Sequence, residues 1–392
     1  MIRFPAVPAV LVAVMMTGCQ LLPYPQSKTS EEATQQPTEQ PAKPEKKPDI
    51  KADKAQPEDS VKQVLVREKI IQTPSVVDGR LILGVTETGF LVRHNVFIDA
   101  KMDTGADHSS IDARNAQIFE RDGKKWVKFE LHRTSKGPLP LEYPVKDTIK
   151  IKRPGEDSME RAVIEMTIRI GNITQQVRVT LNDRDDFTYP LLIGRNFIRD
   201  LAIVDVNQEN IAEEKPLKSI TRKVTVATQS SPQNQVKIIK KPVDTSGLVT
   251  IGAIEHVLFT ETGTRLKARI DTGAKTSSLD ARDLEVFKKN GQDWVRFTLP
   301  PTDKNNEPPV TTEFPVVRFV HIKRHGLESE ERPVIIMQAQ IGNIKLPTEF
   351  TLRDRSDYEF PVLIGTRFLK QSAIVDVSKK FMADHTKVDK KG

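Results

Sequence analysis

Cysteine is almost absent from this chain, and the single one that occurs is Cys19. With one thiol no intramolecular disulfide can form, so packing and hydrogen bonds must hold the fold. Aromatic residues are also scarce, with two Trp and four Tyr, and the net charge of +7 comes from 60 basic and 53 acidic residues without a concentrated basic block. These shortages argue against a nucleic-acid-binding surface, which needs clustered cations and stacking rings.

Long hydrophobic runs are missing as well. The most apolar stretch, VPAVLVAVMM at Val7–Met16, is shorter than the ~20 residues that span a bilayer. It follows Arg3 and has the length of the apolar region of an export signal. The segment ends at Cys19 and resembles a bacterial lipobox, with Met16 where Leu is usual. That resemblance implies a signal peptide over 1–18, a lipid on Cys19 and, since Gln20 follows, a periplasmic protein anchored at the inner face of the outer membrane.

Two segments lack the side chains that could fill a core. Residues Gln26–Ser60 are dominated by Pro, Gln, Glu and Lys, and 208–247 is rich in Lys, Gln, Ser and Pro. Such composition is typical of flexible segments. We therefore predict a disordered tether over 19–75, a linker over 208–247 and a charged tail over 379–392.

The remainder of the chain contains one unit twice. Ile98–Arg114 and Leu266–Arg282 are identical at ten of seventeen positions, where composition alone would give roughly one. Further along, YPLLIGRNFIRDLAIVDV from Tyr189 corresponds to FPVLIGTRFLKQSAIVDV from Phe360. The repeat predicts two homologous domains, over 76–207 and 248–378.

Each unit has the pattern of a β domain. Alternating runs such as WVKFEL and QVRVTL are separated by Asp-Gly, Asn-Gly or Gly-Asn turn signals. Only Asn196–Leu201 and Arg367–Gln371 are predicted to form short helices. We therefore expect a small closed or sandwiched β domain in each copy.

A polar loop follows an apolar strand in each copy: KMDTGADHSS begins at Lys101 and RIDTGAKTSS at Arg269. An Asp beside an apolar strand costs free energy unless it is hydrogen-bonded, and Gly permits another chain segment to approach closely. A lone Asp-Thr-Gly is typical of an ordinary turn. Its occurrence at the same place in both copies, each time with Leu-Ile-Gly about ninety residues later, favours a functional site.

These motifs resemble those of the retropepsin-type aspartic proteases, with Asp-Thr-Gly-Ala early and LLIGRNFI at Leu191–Ile198 late. More narrowly, the chain is similar to bacterial retropepsin-like proteins labelled as ATP-dependent zinc proteases. The resemblance covers both domains but not the leader or the linkers. It implies a mostly β protein of two tandem closed barrels, each with one short C-terminal helix, after the disordered tether.

The resemblance also implies an aspartic endopeptidase in which Asp103 and Asp271 share one proton and activate water against a peptide bond. Retroviral enzymes obtain this pair from a homodimer. Because this chain carries both halves, the resemblance implies an intramolecular pseudo-dimer that acts on a protein or peptide substrate without a cofactor. The residues implied to support the pair are Thr104, Gly105, Thr272 and Gly273.

The two copies differ beside the loop. In the retroviral pattern the Asp after Asp-Thr-Gly-Ala pairs with the Arg after the late Gly. Copy one has both, Asp107 and Arg195, whereas copy two has Lys275 and Thr366. Their joint loss predicts a contact between Asp107 and Arg195, and it predicts a cleft that recognises substrate directionally.

Charged hairpins stand where retroviral enzymes have glycine-rich flaps. Arg153–Ser158 and Arg324–Ser329 carry one Gly each. Their charges, Arg153 and Arg324 among them, are either solvated or bind an acidic substrate. The repeated DRDDF at Asp183–Phe187 and DRSDY at Asp354–Tyr358 are interpreted as structural loops.

No metal or nucleotide motif supports the zinc or ATP label, since Gly-x4-Gly-Lys-Ser/Thr and His-Glu-x-x-His are missing. His321 and His325 are four residues apart on a strand or hairpin, and no metal site is predicted there. Two hypotheses remain: a membrane-anchored periplasmic aspartic endopeptidase, and an inactive retropepsin-like binding or scaffold lipoprotein. The Asp in both copies favours the first, and the charged hairpins favour the second.

Overall fold

The computed structural model describes residues 62–151, 159–213, 215–226, 235–301, 308–324 and 327–385. The predicted export signal, Cys19, Arg153, and the hairpin residues 325–326 with His325 lie outside these ranges, as does the second half of the predicted tail. Arg324 ends a strand, but its side chain is not described.

The first copy and the segments beside it form fifteen strands and one short helix within the described ranges. They are β1 Lys62–Thr73, β2 Val76–Val77, β3 Arg80–Leu91, β4 Val96–Met102, β5 Ser109–Asp112, β6 Arg114–Arg121, β7 Lys124–Leu131, β8 Leu139–Pro144, β9 Asp147–Ile151, β10 Met159–Ile170, β11 Ile173–Asn182, β12 Leu191–Ile193, α1 Arg195–Ile198, β13 Ala202–Glu209, β14 Lys215–Val226 and β15 Gln235–Pro242.

The second copy repeats this order. Its elements are β16 Val249–Gly252, β17 Ile254–Phe259, β18 Thr264–Ile270, β19 Ser277–Asp280, β20 Arg282–Lys289, β21 Gln292–Leu299, β22 Val310–Pro315, β23 Arg318–Arg324, β24 Leu327–Ile341, β25 Ile344–Arg353, β26 Val362–Ile364, α2 Thr366–Leu369 and β27 Ala373–Asp376. Single 3₁₀ turns form at Val92–His94 and Ala383–His385.

Each copy closes into a β-barrel. In the first, the order β3-β4-β12-β5-β11-β10 becomes a ring because β10 also pairs with β3. In the second, β17-β18-β26-β19-β25-β24 closes through the pairing of β17 with β24. Closure leaves no unpaired edge in the ring. The prediction of two mostly β, closed-barrel domains is confirmed.

Strict alternation explains why β4 forms a strand and which face it buries. Val96, Ile98, Ala100 and Met102 are buried, whereas the intervening residues are exposed or half-buried. Side chains of a strand point alternately to its two faces, so one face of β4 fills the barrel. Burial of each large apolar side chain contributes about 1.5–3 kcal/mol. β18 has the same pattern, which sets the following loop in the same place of each barrel.

The predicted turns are confirmed at the hairpins that join β6 to β7 and β20 to β21. Asp122 and Gly123 have φ of 52° and 69°, and Asn290 and Gly291 have φ of 53° and 78°. Two consecutive positive φ angles define the turn that suits the right-handed twist of a hairpin, and Asn-Gly and Asp-Gly adopt it at least cost.

The predicted helices were placed too late and made too long. α1 begins at Arg195 and α2 at Thr366, and each has a single turn. Asp200 and Gln371 then take left-handed conformations, with φ of 65° and 61°. This reversal ends the helix and directs the chain into β13 or β27, which no local sequence signal indicated.

The two barrels share a sheet. Its order is β16-β27-β13-β3, and the central contact is an antiparallel pairing of Val204 with Val375. Val204 and Val375 belong to the main core, whereas Ile203 and Ile374 belong to a second cluster on the opposite face. Burial on both faces explains the continuous apolar run AIV in each copy.

The tether was wrongly predicted to be disordered up to residue 75, and the predicted linker contains two strands. β1, β14 and β15 form a separate three-stranded sheet, in which β1 comes from the predicted tether and the other two strands from the predicted linker. Val243 packs into the second cluster, and its carbonyl accepts a hydrogen bond of 2.7 Å from Ser75 Oγ. Short runs such as VLV and KVTV carry enough β propensity to pair, although the surrounding composition is that of a flexible segment.

Candidate active site

The two Asp-Thr-Gly loops begin where β4 and β18 end. The backbone N–H of Asp103 donates to Ile193 O, and that of Asp271 to Ile364 O, both at 2.9 Å. These bonds continue the parallel pairings β4–β12 and β18–β26 by one residue. The late Leu-Ile-Gly motif of each copy therefore fixes the position of the early Asp-Thr-Gly motif.

A reciprocal pair of threonines joins the loops of the two domains. Thr104 Oγ1 donates to Ile270 O at 2.8 Å and accepts from Thr272 N at 3.0 Å. Thr272 Oγ1 donates to Met102 O at 2.8 Å and accepts from Thr104 N at 3.1 Å. Both side chains are fully buried. The four bonds hold the two loops together within one chain, as the resemblance implied.

Each catalytic candidate lies over the glycine of the other loop. A methyl group on Gly105 would lie 2.6 Å from Oδ2 of Asp271, and one on Gly273 would overlap the carboxyl group of Asp103 equally. Such distances are below any contact a side chain can make. Glycine at both positions is what allows Asp103 and Asp271 to face each other.

Each carboxyl group is also held by its own loop. Asp103 Oδ1 accepts from the N–H groups of Gly105 and Ala106 at 2.9 and 3.0 Å, and Asp271 Oδ1 accepts from Gly273 and Ala274 at 2.8 and 3.0 Å. Burial, and then the negative charge of Asp271, raises the pKa of Asp103 to about 7 against these donors. Burial also raises the pKa of Asp271, whereas the bond from Asp103 and the charge of Arg269 favour its ionised form. The two buried carboxyl groups are coupled, and the raised pKa values favour one proton held by the pair.

The predicted contact between Asp107 and Arg195 is present. The Arg195 guanidinium is buried, bonds to Asp107 Oδ1 and donates through Nη1 to Thr104 O at 2.7 Å. Arg195 therefore stabilises the first Asp-Thr-Gly loop through the carbonyl group of Thr104. In the second copy Thr366 occupies the equivalent place. Its backbone N–H donates to Ala274 O at 2.8 Å, as that of Arg195 does to Ala106 O, but its side chain provides no ion pair. The two halves are chemically unequal.

This arrangement of paired loops, cross-braced threonines and facing carboxyl groups agrees with the comparison of the sequence with known families. The family model described as "Retropepsin-like aspartic endopeptidase RimB" matches residues 82–215 and 250–386. The chain belongs to the RimB-like family. The matched segments contain both barrels and exclude β1 and β15, as expected for two copies of a single domain.

The curated relatives of this RimB-like chain carry another activity in their names. It is 35% identical over 132 residues to a "Probable alpha-L-glutamate ligase" of Shewanella pealeana, a match covering 33% of this chain and 29% of that protein. A protein of the same name from Desulfotalea psychrophila is 35% identical over 116 residues, 28% of this chain and 24% of the relative. The chain spans less than a third of these relatives.

These names correct the function predicted from the sequence. The prediction of a membrane-anchored aspartic endopeptidase as this chain's activity is contradicted by relatives that are named as ligases. A dyad motif specifies acid–base chemistry at a carbonyl group, and this chemistry serves bond formation as well as hydrolysis. The motif therefore could not select between the two reaction classes.

A solved structure gives a further likeness. A Legionella pneumophila subsp. pneumophila str. Philadelphia 1 protein of unknown function is 30% identical and covers 34% of this chain and 98% of its own, with a TM-score of 0.30.

Four cations lie within electrostatic reach of the dyad in this RimB-like chain. Lys101 is attracted by the charges of both Asp103 and Asp271. Arg184 and Arg195 are attracted by the charge of Asp103, and Arg269 interacts with that of Asp271. Lys101 and Arg269 each precede a dyad residue by two positions and so share its side of the strand. These two cations were not singled out in the sequence, although the repeat places them at equivalent positions.

The partners of these cations differ. Arg269 pairs with Glu359 at 3.1 Å and lies 4.4 Å above the ring of Phe360. Lys101 is half-buried and, among the described residues, has no ion-pair partner. Burial lowers its pKa against the attraction of Asp103, Asp271 and Glu209. Lys101 is thus a cation beside the dyad without an ion pair in the described ranges.

Buried carboxylates with structural roles were missed by the sequence analysis. Glu87 accepts from the N–H groups of Gly84, Ile211 and Ala212, and Glu255 does the same for Gly252, Met382 and Ala383. The repeated Gly-x-x-Glu was the available signal. The DRDDF and DRSDY loops are structural, as interpreted: Arg184 N donates to Asp112 Oδ1 at 2.8 Å, and Arg355 N to Asp280 Oδ1 at 2.7 Å.

Within the described ranges, no group of three or more His, Cys, Asp or Glu side chains could hold a metal ion. His321 is exposed and lies 3.5 Å from Glu331. Within those ranges, no helix has the length and apolar character to cross a membrane.

Proposed function

We propose that this chain serves glutamate ligation: its two domains bind a chain of glutamyl residues, and the Asp103–Asp271 pair exchanges a proton with the bound carbonyl group or amine. The observation that carries the proposal is a proton-sharing carboxyl pair surrounded by cations. The proposal assigns to this chain binding and proton transfer, and no step that activates a carboxyl group.

The cations support an acidic ligand. A glutamyl chain has one negative charge per residue, and such a ligand would be repelled by the dyad alone. Lys101 and Arg269 offset that charge on either side of the pair, one from each domain. The relatives named as glutamate ligases support glutamate as the acidic residue.

The dyad supports proton transfer in either direction. When an amine adds to a carbonyl carbon, the ionised carboxylate accepts a proton from the amine, and the protonated partner donates one to the carbonyl oxygen. One shared proton leaves one group in each state. With the pKa of Asp103 raised to about 7, exchange remains feasible near neutral pH.

Calorimetric titration with a short oligo-α-glutamate tests the proposal. We expect binding to weaken about tenfold in Lys101→Met, because one charge-assisted contact is lost, and not in Lys345→Met, an exposed lysine on β25. Repeating the titration in buffers of different ionisation enthalpy counts the protons exchanged, and Asp103→Asn should reduce that number. Absence of binding, or equal binding of oligoglutamine, would contradict the proposal.

We further propose that Cys19 carries a lipid and holds the protein at a membrane facing the periplasm. The export-like segment and the lipobox-like Met16–Cys19 support this location. The long Pro- and Lys-rich segment that follows would let the two barrels reach ligands at a distance from the membrane.

A further inference from the structure

Two equivalent buried aspartates in the shared sheet have different partners. Asp205 on β13 and Asp376 on β27 are both fully buried. In each, Oδ1 accepts from the N–H two residues on, at 2.8 Å from Asn207 and 3.0 Å from Ser378. In each, Oδ2 has no hydrogen-bond partner in the described part of the chain. Oδ1 of Asp205 also accepts from Asn207 Nδ2 at 2.8 Å, and Oδ1 of Asp376 accepts from the Ser378 hydroxyl.

The difference is a guanidinium group. Arg80, at the start of β3, lies 2.5 Å from Asp376 Oδ1, and its side chain is 13% exposed. The repeat places Leu248 at the position equivalent to Arg80, just before β16, where its side chain would serve Asp205. Leucine cannot pair with a carboxylate. Asp205 therefore receives hydrogen bonds from Asn207 but, among the described residues, has no cation, and a buried carboxylate without a cation costs free energy.

A cavity lies beside Asp205 and Leu248. It has a volume of about 480 Å³, in the range of small-molecule sites, and its lining includes Asp205, Asn207, Asp244, Leu248 and Lys370. Asp244 adds a second carboxylate, while Lys370 is exposed and contributes one opposing charge. The lining is therefore net acidic, and its most buried acceptor lacks the ion partner that its counterpart has.

We propose that this cavity binds a guanidinium group, which pairs with Asp205 as Arg80 pairs with Asp376. Arg80 reaches Asp376 through one nitrogen, which also donates to Ser378 Oγ at 2.8 Å, and a guanidinium group can donate to several acceptors at once while remaining weakly hydrated. The guanidinium belongs either to a small molecule of the arginine type or to an arginine side chain of a partner protein. The site is separate from the dyad, and the inference does not depend on the proposed function.

Binding is tested with L-arginine amide and, as an uncharged isostere, L-citrulline amide, followed by calorimetry and by the thermal midpoint of the full chain at constant ionic strength. We expect arginine amide to bind and raise the midpoint, and citrulline amide to do neither. Leu248→Arg should fill the cavity from within and abolish the response, whereas Leu248→Met, similar in size but uncharged, should retain it. Asp205→Asn, where it folds, should weaken binding about ten- to a hundredfold.

The source of the guanidinium is distinguished by a third ligand, acetyl-Gly-Arg-Gly-amide. Binding at least about tenfold tighter than arginine amide favours a partner protein, and equal binding favours a small molecule. The proposal is overturned if arginine amide does not bind, if both amides act equally, or if Leu248→Arg responds like the wild type. Oligoglutamate binding should be unchanged in Leu248→Arg, so this site and the dyad can fail independently.

Discussion

Thr104 Oγ1 of the first domain accepts a hydrogen bond of 3.0 Å from the backbone N–H of Thr272 in the second. The same oxygen donates to Ile270 O at 2.8 Å, so one hydroxyl satisfies two buried backbone groups across the domain boundary. Because the dyad residues immediately precede these threonines, the bonds that join the domains also set the separation of the two carboxyl groups.

Thr104→Val should destabilise the protein strongly. Valine keeps the shape but leaves a buried N–H and a buried carbonyl unpaired, at a cost of about 1–3 kcal/mol for each group. Thr104→Ser retains the hydroxyl and should cost much less, and the exposed Thr174→Val is the matched control. Urea denaturation measures the free energy of unfolding. A loss in Thr104→Val no larger than in Thr174→Val would refute the role of the cross-brace.

Stability should fall as the pH rises from about 4 to 7. The pKa of Asp103 is raised from 3.8 to about 7 in the folded chain. In that window the folded state binds more protons than the unfolded state, so the stabilisation present below pH 4 is lost as Asp103 ionises. At 1.36 kcal/mol per pH unit the upper limit is about 4 kcal/mol.

The measurement for this prediction is the free energy of unfolding between pH 4 and 8 in the wild type and in Asp103→Asn. The asparagine cannot ionise, so the variant should show a smaller decline over this window. A decline of equal size in both proteins would place the titrating group elsewhere.

Arg195→Met should destabilise the first domain by about 1–3 kcal/mol. The substitution keeps much of the side-chain volume but removes the bond to the buried Thr104 O, whereas the exposed Asp107 stays solvated when it loses its partner. The equivalent change in the second copy, Thr366→Val, removes no ion pair and should cost less than about 1 kcal/mol. Chemical denaturation of both variants compares the two halves directly. Equal losses would show that the copies do not differ in this support.

Cys19→Ala should release the protein into the soluble fraction. Without the thiol no lipid can be attached, and the segment before it is too short to anchor the chain. Fractionation after a high-salt wash, followed by density separation of the membranes in the wild type, measures both the anchor and its membrane. Retention of Cys19→Ala with membranes would contradict the proposed lipid anchor.

Much of the local structure could be predicted from the sequence, because it depends on neighbouring residues. The alternation in β4, the Asp-Gly and Asn-Gly turns, and the polar loops after Met102 and Ile270 follow from strand period and backbone sterics. The repeat itself indicated that two carboxyl groups would be available to one chain.

Other features depend on segments far apart in the chain. The sequence analysis treated 208–247 as a linker, because its composition resembles that of a flexible segment and its pairing with β1 cannot be read locally. The apolar segments that contain Val204 and Val375 occur once in each copy, and nothing local in them indicated that they would pair and join the barrels into one sheet.

The sequence by itself determined two homologous β domains with one Asp-Thr-Gly loop each, since periodicity and repetition are properties of the chain. The closed barrels and the pairing of Asp103 with Asp271 were implied by the resemblance. Only the tertiary structure decided how the pair is charged and which buried carboxylates are compensated. Burial raises the pKa of Asp103. Arg80 forms an ion pair with Asp376, whereas Leu248, at the equivalent position, gives Asp205 no ion pair. These effects arise from distances and desolvation between residues at least forty positions apart in the chain, which no local pattern encodes.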